Sequence, residues 1–183
     1  GQDGSFSFDA LWQRYNSDLA NGYANLVSRT LAMIQKNFNG EFTAELGDQA
    51  KAGESLVLET TDFLIPSNVI GQTLAKTYPE SLTDYDFGTA LAAVSASITS
   101  VDKYFSDSTP WKLANSIIQA DREKLAEILY LSADSIRIIT ALLYPVIPYA
   151  TSKVWTQLGL GDIEADAKAG KLKDLKWGVL KPG

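Results

Sequence analysis

Between residues 85 and 105 the side chains of Phe87, Leu91, Val94, Ile98, Val101 and Phe105 recur at intervals of 4, 3, 4, 3 and 4. That rhythm draws one apolar stripe along a helix of about five turns. The small residues Ala92, Ala93, Ser95, Ala96 and Ser97 lie between the stripe positions and permit close approach by a neighbouring helix. Asp84 or Thr83 is expected to cap the helix, its side-chain oxygen accepting a backbone N–H of the first turn.

The rest of the chain supplies partners for that stripe. Phe8, Leu11, Trp12, Tyr15 and Leu19 recur at helical spacing behind Ser7 as N-cap. A second periodic stretch, Tyr23, Leu26, Val27, Thr30, Leu31, Ile34 and Phe38, ends at Asn39-Gly40. Residues 41–66 are less regular, punctuated by Gly47, Gly53 and Pro66, with a short helix expected over 44–50. A modest helix over 67–77 should close at Tyr78-Pro79. A long helix starting near Asp121 carries Leu125, Ile128, Leu129, Ile136, Ile139 and Leu143 before Pro145 and Pro148 interrupt it. A last main helix spans 149–158 and stops at Gly159. No period-2 alternation competes with these patterns. The fold class is therefore all-α, an antiparallel helix bundle over residues 1–160. Residues 161–183, with a short helix near 164–169, read as an extended C-terminal arm.

Composition limits the function classes. With 45% apolar and 21% charged residues, the chain is an ordinary globular sequence of 183 residues. No apolar run approaches the ~18 residues a membrane helix requires. Gly1 to Phe8 lacks the basic flank and apolar segment of a signal peptide, so a cytoplasmic location is expected. The sequence has no cysteine, which removes disulfides, thiolate zinc sites and cysteine nucleophiles. It has no histidine either, which removes the commonest general base and metal ligand. No catalytic residue and no metal site is assigned, and no carboxylate pair or glycine-rich phosphate loop stands out.

The face that the core does not use is informative. At about 100° per residue, Tyr23, Leu26, Val27, Leu31, Ile34 and Phe38 gather on one side, while Asn25, Arg29 and Lys36 fall opposite. Asn25 and Arg29, four residues apart, stand one above the other. An amide beside a guanidinium offers several donors and an acceptor, enough to read the edge of an unpaired base. A plain solvated face is the alternative. Trp111 follows Pro110 in Ser108-Thr109-Pro110-Trp111-Lys112-Leu113, where Thr109 suits an N-cap and Pro110 the first helical position. An indole in a first turn can stack on a base, and Lys112 beside it can meet a phosphate; a capping aromatic on the bundle end is the alternative. Trp12 and Trp155 read as core, and Trp177 as the anchor of the arm. Asp, Glu and Lys elsewhere read as solvated faces.

Several blocks are recognisable. Arg14-Tyr15-Asn16-Ser17-Asp18-Leu19-Ala20-Asn21 followed by Asn25-Leu26-Val27-Ser28-Arg29-Thr30-Leu31 resembles the signature that opens the helical domain of methionyl-tRNA synthetases. Pro110-Trp111-Lys112-Leu113-Ala114 is similar to that family's second block. Arg137-Ile138-Ile139 through Leu143-Tyr144-Pro145-Val146-Ile147-Pro148 resembles its third. Trp177-Gly178-Val179-Leu180-Lys181-Pro182-Gly183 resembles the segment by which the family's chain leaves the bundle. The sequence departs from the family at Gly22-Tyr23-Ala24, where Asp-Leu-Gly is common, and at Asp102-Lys103-Tyr104-Phe105-Ser106, where Asn-Arg-Tyr-Ile-Asp is frequent. Ser106 replaces an acid there and receives no role.

The resemblance implies a class I aminoacyl-tRNA synthetase that joins methionine to tRNA(Met) using ATP. It implies that this portion checks the CAU anticodon stem-loop, chiefly the wobble cytosine, through Asn25, Arg29 and Trp111. Lys36 and Lys112 become candidate phosphate contacts. A His-Ile-Gly-His type motif is impossible without histidine, and no Lys-Met-Ser-Lys-Ser motif occurs. The ATP, methionine and zinc sites are thus expected on a catalytic domain outside this sequence, toward which the arm would pack. No cofactor is expected here.

Two rivals stay open: the anticodon domain of a related class I synthetase (cysteine, leucine, isoleucine or valine), and a helical protein-interaction scaffold without RNA contacts. The scaffold would explain the net charge of −6. RNA reading instead requires Arg14, Arg29, Lys36, Lys103 and Lys112 to border one surface, with acids concentrated in residues 41–62 and 162–166.

Overall fold

The computed structural model describes the backbone of residues 8–41, 70, 73, 77–173 and 175–180, and side chains from residue 21 onward. Within this set the secondary structure is helical throughout, without strands. Helix α1 spans Phe8–Phe38, α2 Tyr78–Thr83, α3 Phe87–Asp107, α4 Pro110–Leu113, α5 Gln119–Leu143, α6 Pro148–Gln157 and α7 Ile163–Lys168. A 3₁₀ turn follows at Lys171–Lys173.

The two periodic stretches at the start of the chain form one uninterrupted helix rather than two. Gly22 lowers helix propensity at the expected break, but it packs against α3. A Cβ placed there would meet Ile98 Cγ2 at 3.5 Å, an ordinary contact. Tertiary packing carries the helix through its weakest residue.

Side-chain contacts fix the directions of the helices. Gly22 faces Ile98, and seven residues later Arg29 meets Asp102 and Ser106, so α1 and α3 run the same way. Tyr23 hydrogen-bonds Thr140, whereas Phe38 at the far end of α1 lies under Arg122 in the first turns of α5. Helix α5 therefore runs antiparallel to α1, and α3 returns into it through the short α4. The C-terminal ends of α1 and α3, the whole of α4 and the start of α5 thus share one end of the bundle.

Helix α5 is the axis. From Ile128 to Leu143 every residue is buried, polar ones included. Only one stripe of this helix is legible as periodicity, because its other faces carry Ser132, Asp134, Ser135, Arg137 and Thr140. Ser132, Ser135 and Thr140 satisfy their hydroxyls on the carbonyls of Ile128, Leu131 and Ile136, one turn back. Asp134 and Arg137 are paired at 2.6 Å. Reading every Asp outside the candidate site as solvated is therefore wrong at Asp134, which is fully buried.

Local chemistry moves other boundaries. Tyr78-Pro79 begins a helix instead of ending one, since a proline in the first turn needs no N–H. Neither Thr83 nor Asp84 caps α3. Tyr85 turns the chain with φ of 58°, and Asp86 accepts from the backbone N–H of Thr89. Phe87, the first stripe position, consequently opens α3 at its exposed end, while Ala90 and Ser97 join the buried face. Gly159, at φ 74°, ends α6 as expected. Trp155 is buried and donates its indole N–H to Asp166. The arm lies on α5: Leu180 is buried, and Tyr130 donates to its carbonyl at 3.0 Å. Trp177 packs half-buried against the main core. The helix expected over 44–50, Trp12 and Arg14 lie outside the described side chains.

Candidate nucleic-acid interface

Asn25 and Arg29 share the side of α1 turned from the buried face formed by Tyr23, Leu26, Val27 and Ile34. Asn25 is exposed. Arg29 is half-buried because its side chain crosses to α3. Nη1 donates to Asp102 Oδ1 at 2.8 Å and Nη2 to Ser106 Oγ at 3.3 Å. The guanidinium carbon also lies 4.9 Å from the centroid of the Phe105 ring. A guanidinium against an aromatic face and bonded on two nitrogens has little rotamer freedom left. Its remaining N–H groups are held in a fixed orientation with it.

Asp102, Phe105 and Ser106 were not selected from the sequence. The available signal was their spacing: Asp102 and Ser106 are four apart on α3 and flank Phe105, matching the Asn25–Arg29 interval on α1. Ser106, given no role, accepts the second bond of Arg29.

From Ser106 the chain reaches Trp111 within five residues. Thr109 N–H donates to the Ser106 carbonyl and Lys112 N–H to the Thr109 carbonyl, which ties α4 to the end of α3. Thr109 occupies the expected N-cap position but makes no side-chain cap bond. It adopts φ 44°, ψ 52°, a left-handed conformation disfavoured for a β-branched residue. Pro110 is the buried first residue of α4, and Trp111 beside it remains 44% exposed. Further round this end, Ile117 is fully exposed and Ile118 largely so. Lys36 and Lys112 are both exposed.

The charge distribution departs from the expected basic border. Arg29 is paired with Asp102, and Lys103 with Asp107 at 2.6 Å. Acids are interleaved with the cations on α3 because i,i+4 spacing sets Lys103 above Asp107. Such partly exposed pairs contribute only about 0–1 kcal/mol to stability. Their larger effect is on the field, which is locally mixed rather than positive. Arg122, stacked 5.2 Å from the Phe38 ring centroid, adds a cation at the same end of the bundle.

The chain has no cysteine or histidine, and no group of three or more acidic residues among those described is placed to hold a metal ion. No helix among those described is long and apolar enough to cross a membrane.

No family model matches the chain. Individual proteins do. A methionine–tRNA ligase of Streptomyces coelicolor is 34% identical over the whole chain, and one of Thermotoga maritima is 33% identical over the same extent. The chain spans 32% and 26% of the lengths of these two relatives. Among solved structures, free methionyl-tRNA synthetase from Mycobacterium tuberculosis superposes with a TM-score of 0.70 at 26% identity. That match covers 97% of this chain and 32% of the other. The same enzyme in complex with methionyl-adenylate gives 0.68 over 96% of this chain. The sequence matches span the whole chain and the described residues share the helical architecture, and the chain belongs to the methionyl-tRNA synthetase family, of which it represents one helical portion.

Proposed function

We propose that this portion reads the CAU anticodon of tRNA(Met), chiefly its wobble cytosine, for a parent enzyme that ligates methionine to tRNA with ATP in the cytoplasm. Asn25 and Arg29 would hydrogen-bond the base edge while Trp111 stacks on the ring. Lys36 and Lys112 would meet the flanking phosphates. ATP, methionine and zinc would be handled by a catalytic domain outside this chain. The supporting observation is the fixed guanidinium of Arg29, held on α3 by Asp102 and Ser106, one short turn before the exposed indole of Trp111. A scaffold without RNA contacts would bury that indole and leave Asn25 and Arg29 far from it.

The mixed field shapes the reading. Arg29, already neutralised by Asp102, is poorly suited to anchor a phosphate and better suited to directional readout of a base. Fluorescence anisotropy with anticodon stem-loops carrying CAU or UAU tests this. Tighter binding of CAU, with Arg29→Met removing the preference, supports the reading. Equal affinity for the two loops contradicts it. Lys112→Met should flatten the salt dependence while preserving the preference.

A further inference from the structure

We propose that Asp102 is a specificity-determining residue in its own right, accepting a hydrogen bond from the exocyclic amine of the cytosine while it holds Arg29. The inference rests on the reading that this surface takes a cytosine, and it adds the group that tells cytosine from uracil. Only one carboxylate oxygen of Asp102, Oδ1, is engaged by Arg29. Among the described residues no donor is placed on Oδ2, and the side chain remains 39% exposed. The Arg29 guanidinium uses two of its five N–H groups on Asp102 and Ser106. A donor-only group and an acceptor-only group thus stand side by side on neighbouring helices.

The chemistry of the two pyrimidines decides what such a pair selects. The Watson–Crick edge of cytosine presents acceptors at O2 and N3 and a donor at the 4-amino group. Uracil presents an N3–H donor between two carbonyl acceptors. An arginine donating to O2 cannot tell the two bases apart, and a donor aimed at N3 rejects the uracil N3–H without reading the 4-amino group. A carboxylate beside the guanidinium accepts from the 4-amino group, as acidic side chains do in base readout. Against uracil the same carboxylate faces the O4 carbonyl, an acceptor with no proton to share. Asn25, with both a donor and an acceptor, can rotate to suit either base and supplies less discrimination.

The test uses the full chain and anisotropy titrations with loops carrying cytosine, uracil or pyrimidin-2-one, a cytosine lacking the amino group, at the first anticodon position. Asp102→Asn should weaken cytosine binding by about fivefold to twentyfold and leave uracil binding within about twofold, erasing most of the preference. Wild-type protein should lose a similar factor on pyrimidin-2-one, and Asp102→Asn should lose nothing further on that loop. Asp102→Glu, which keeps the acceptor, should retain part of the preference. The pyrimidin-2-one arm leaves the protein unaltered, so equal binding of cytosine and pyrimidin-2-one overturns the proposal even where a variant folds poorly. Wild-type protein that binds cytosine and pyrimidin-2-one equally, while preferring both over uracil, overturns the role of Asp102 and leaves the cytosine reading standing. Wild-type protein indifferent to cytosine and uracil overturns both.

Discussion

Asp134 Oδ2 accepts the backbone N–H of Gly178 at 2.7 Å, joining the middle of α5 to the arm. The other oxygen of the same carboxylate holds Arg137, whose guanidinium in turn donates to the carbonyl of Lys176. A buried ion pair is justified energetically when its spare lone pairs and protons are also satisfied, and here the arm backbone satisfies them. Asp134→Asn leaves Arg137 buried without its counter-ion, so the variant should lose about 3–5 kcal/mol of unfolding free energy. Urea denaturation measures the loss. Limited trypsin digestion should also cut faster after Lys176. An unchanged midpoint and digestion pattern would show that the pair does not hold the arm.

Gly22 sits inside α1 where a Cβ has ordinary contact room beside Ile98. Gly22→Ala should therefore stabilise the fold, by up to about 1 kcal/mol, through restored helix propensity. A shift of the urea midpoint to higher concentration is the expected result. A lower midpoint would mean that α1 and α3 cannot accommodate even a methyl group.

Asp166 links the α6–α7 corner to the turn after it, accepting from Trp155 at 3.1 Å and from Lys171 at 2.7 Å. The Lys171 hydrogen bond is the main reason its carboxyl titrates below the usual carboxylate range, against a smaller opposing effect of burial. A carboxyl depressed in the folded state contributes stability above its unfolded pKa of ~3.9 and loses it as the pH falls through the lower folded value. Wild-type stability should thus fall more steeply than that of Asp166→Asn as the pH drops below about 4. Urea midpoints across this range report the difference. Parallel curves would remove Asp166 from the acid response.

Trp111 is exposed beside the buried Pro110, and no hydrogen bond of its indole holds the fold together among the described residues. Trp111→Ala should weaken binding of the cytosine-bearing loop by ~1–3 kcal/mol. Circular dichroism should show helix content unchanged. A large loss of helicity would make the indole structural.

The stripe of α3, the proline breaks after α5 and the Gly159 stop were legible because each rests on local spacing or a single residue's backbone chemistry. The continuity of α1 was hidden, since Gly22 looks like a break until its contact with Ile98 is known. The buried Asp134 and Arg137 were hidden for a related reason: charged residues signal solvent unless a distant segment, here residues 176–178, satisfies them. At the candidate site, Asn25 and Arg29 stood out on the unused side of α1 and Trp111 beside its proline. Asp102 and Ser106 did not, because partnership between helices 73 and 77 residues apart leaves no mark in local periodicity.

Two-dimensional ¹⁵N–¹H spectra resolve the indole N–H of each tryptophan and the Nε–H of Arg29, with Trp111→Ala and Arg29→Met supplying assignments. Added in turn, the CAU stem-loop should move the Trp111 and Arg29 signals together, and the UAU loop at equal concentration should move them far less. Shifts confined to other residues, or the same shifts with both loops, would contradict cytosine reading at this end of the bundle.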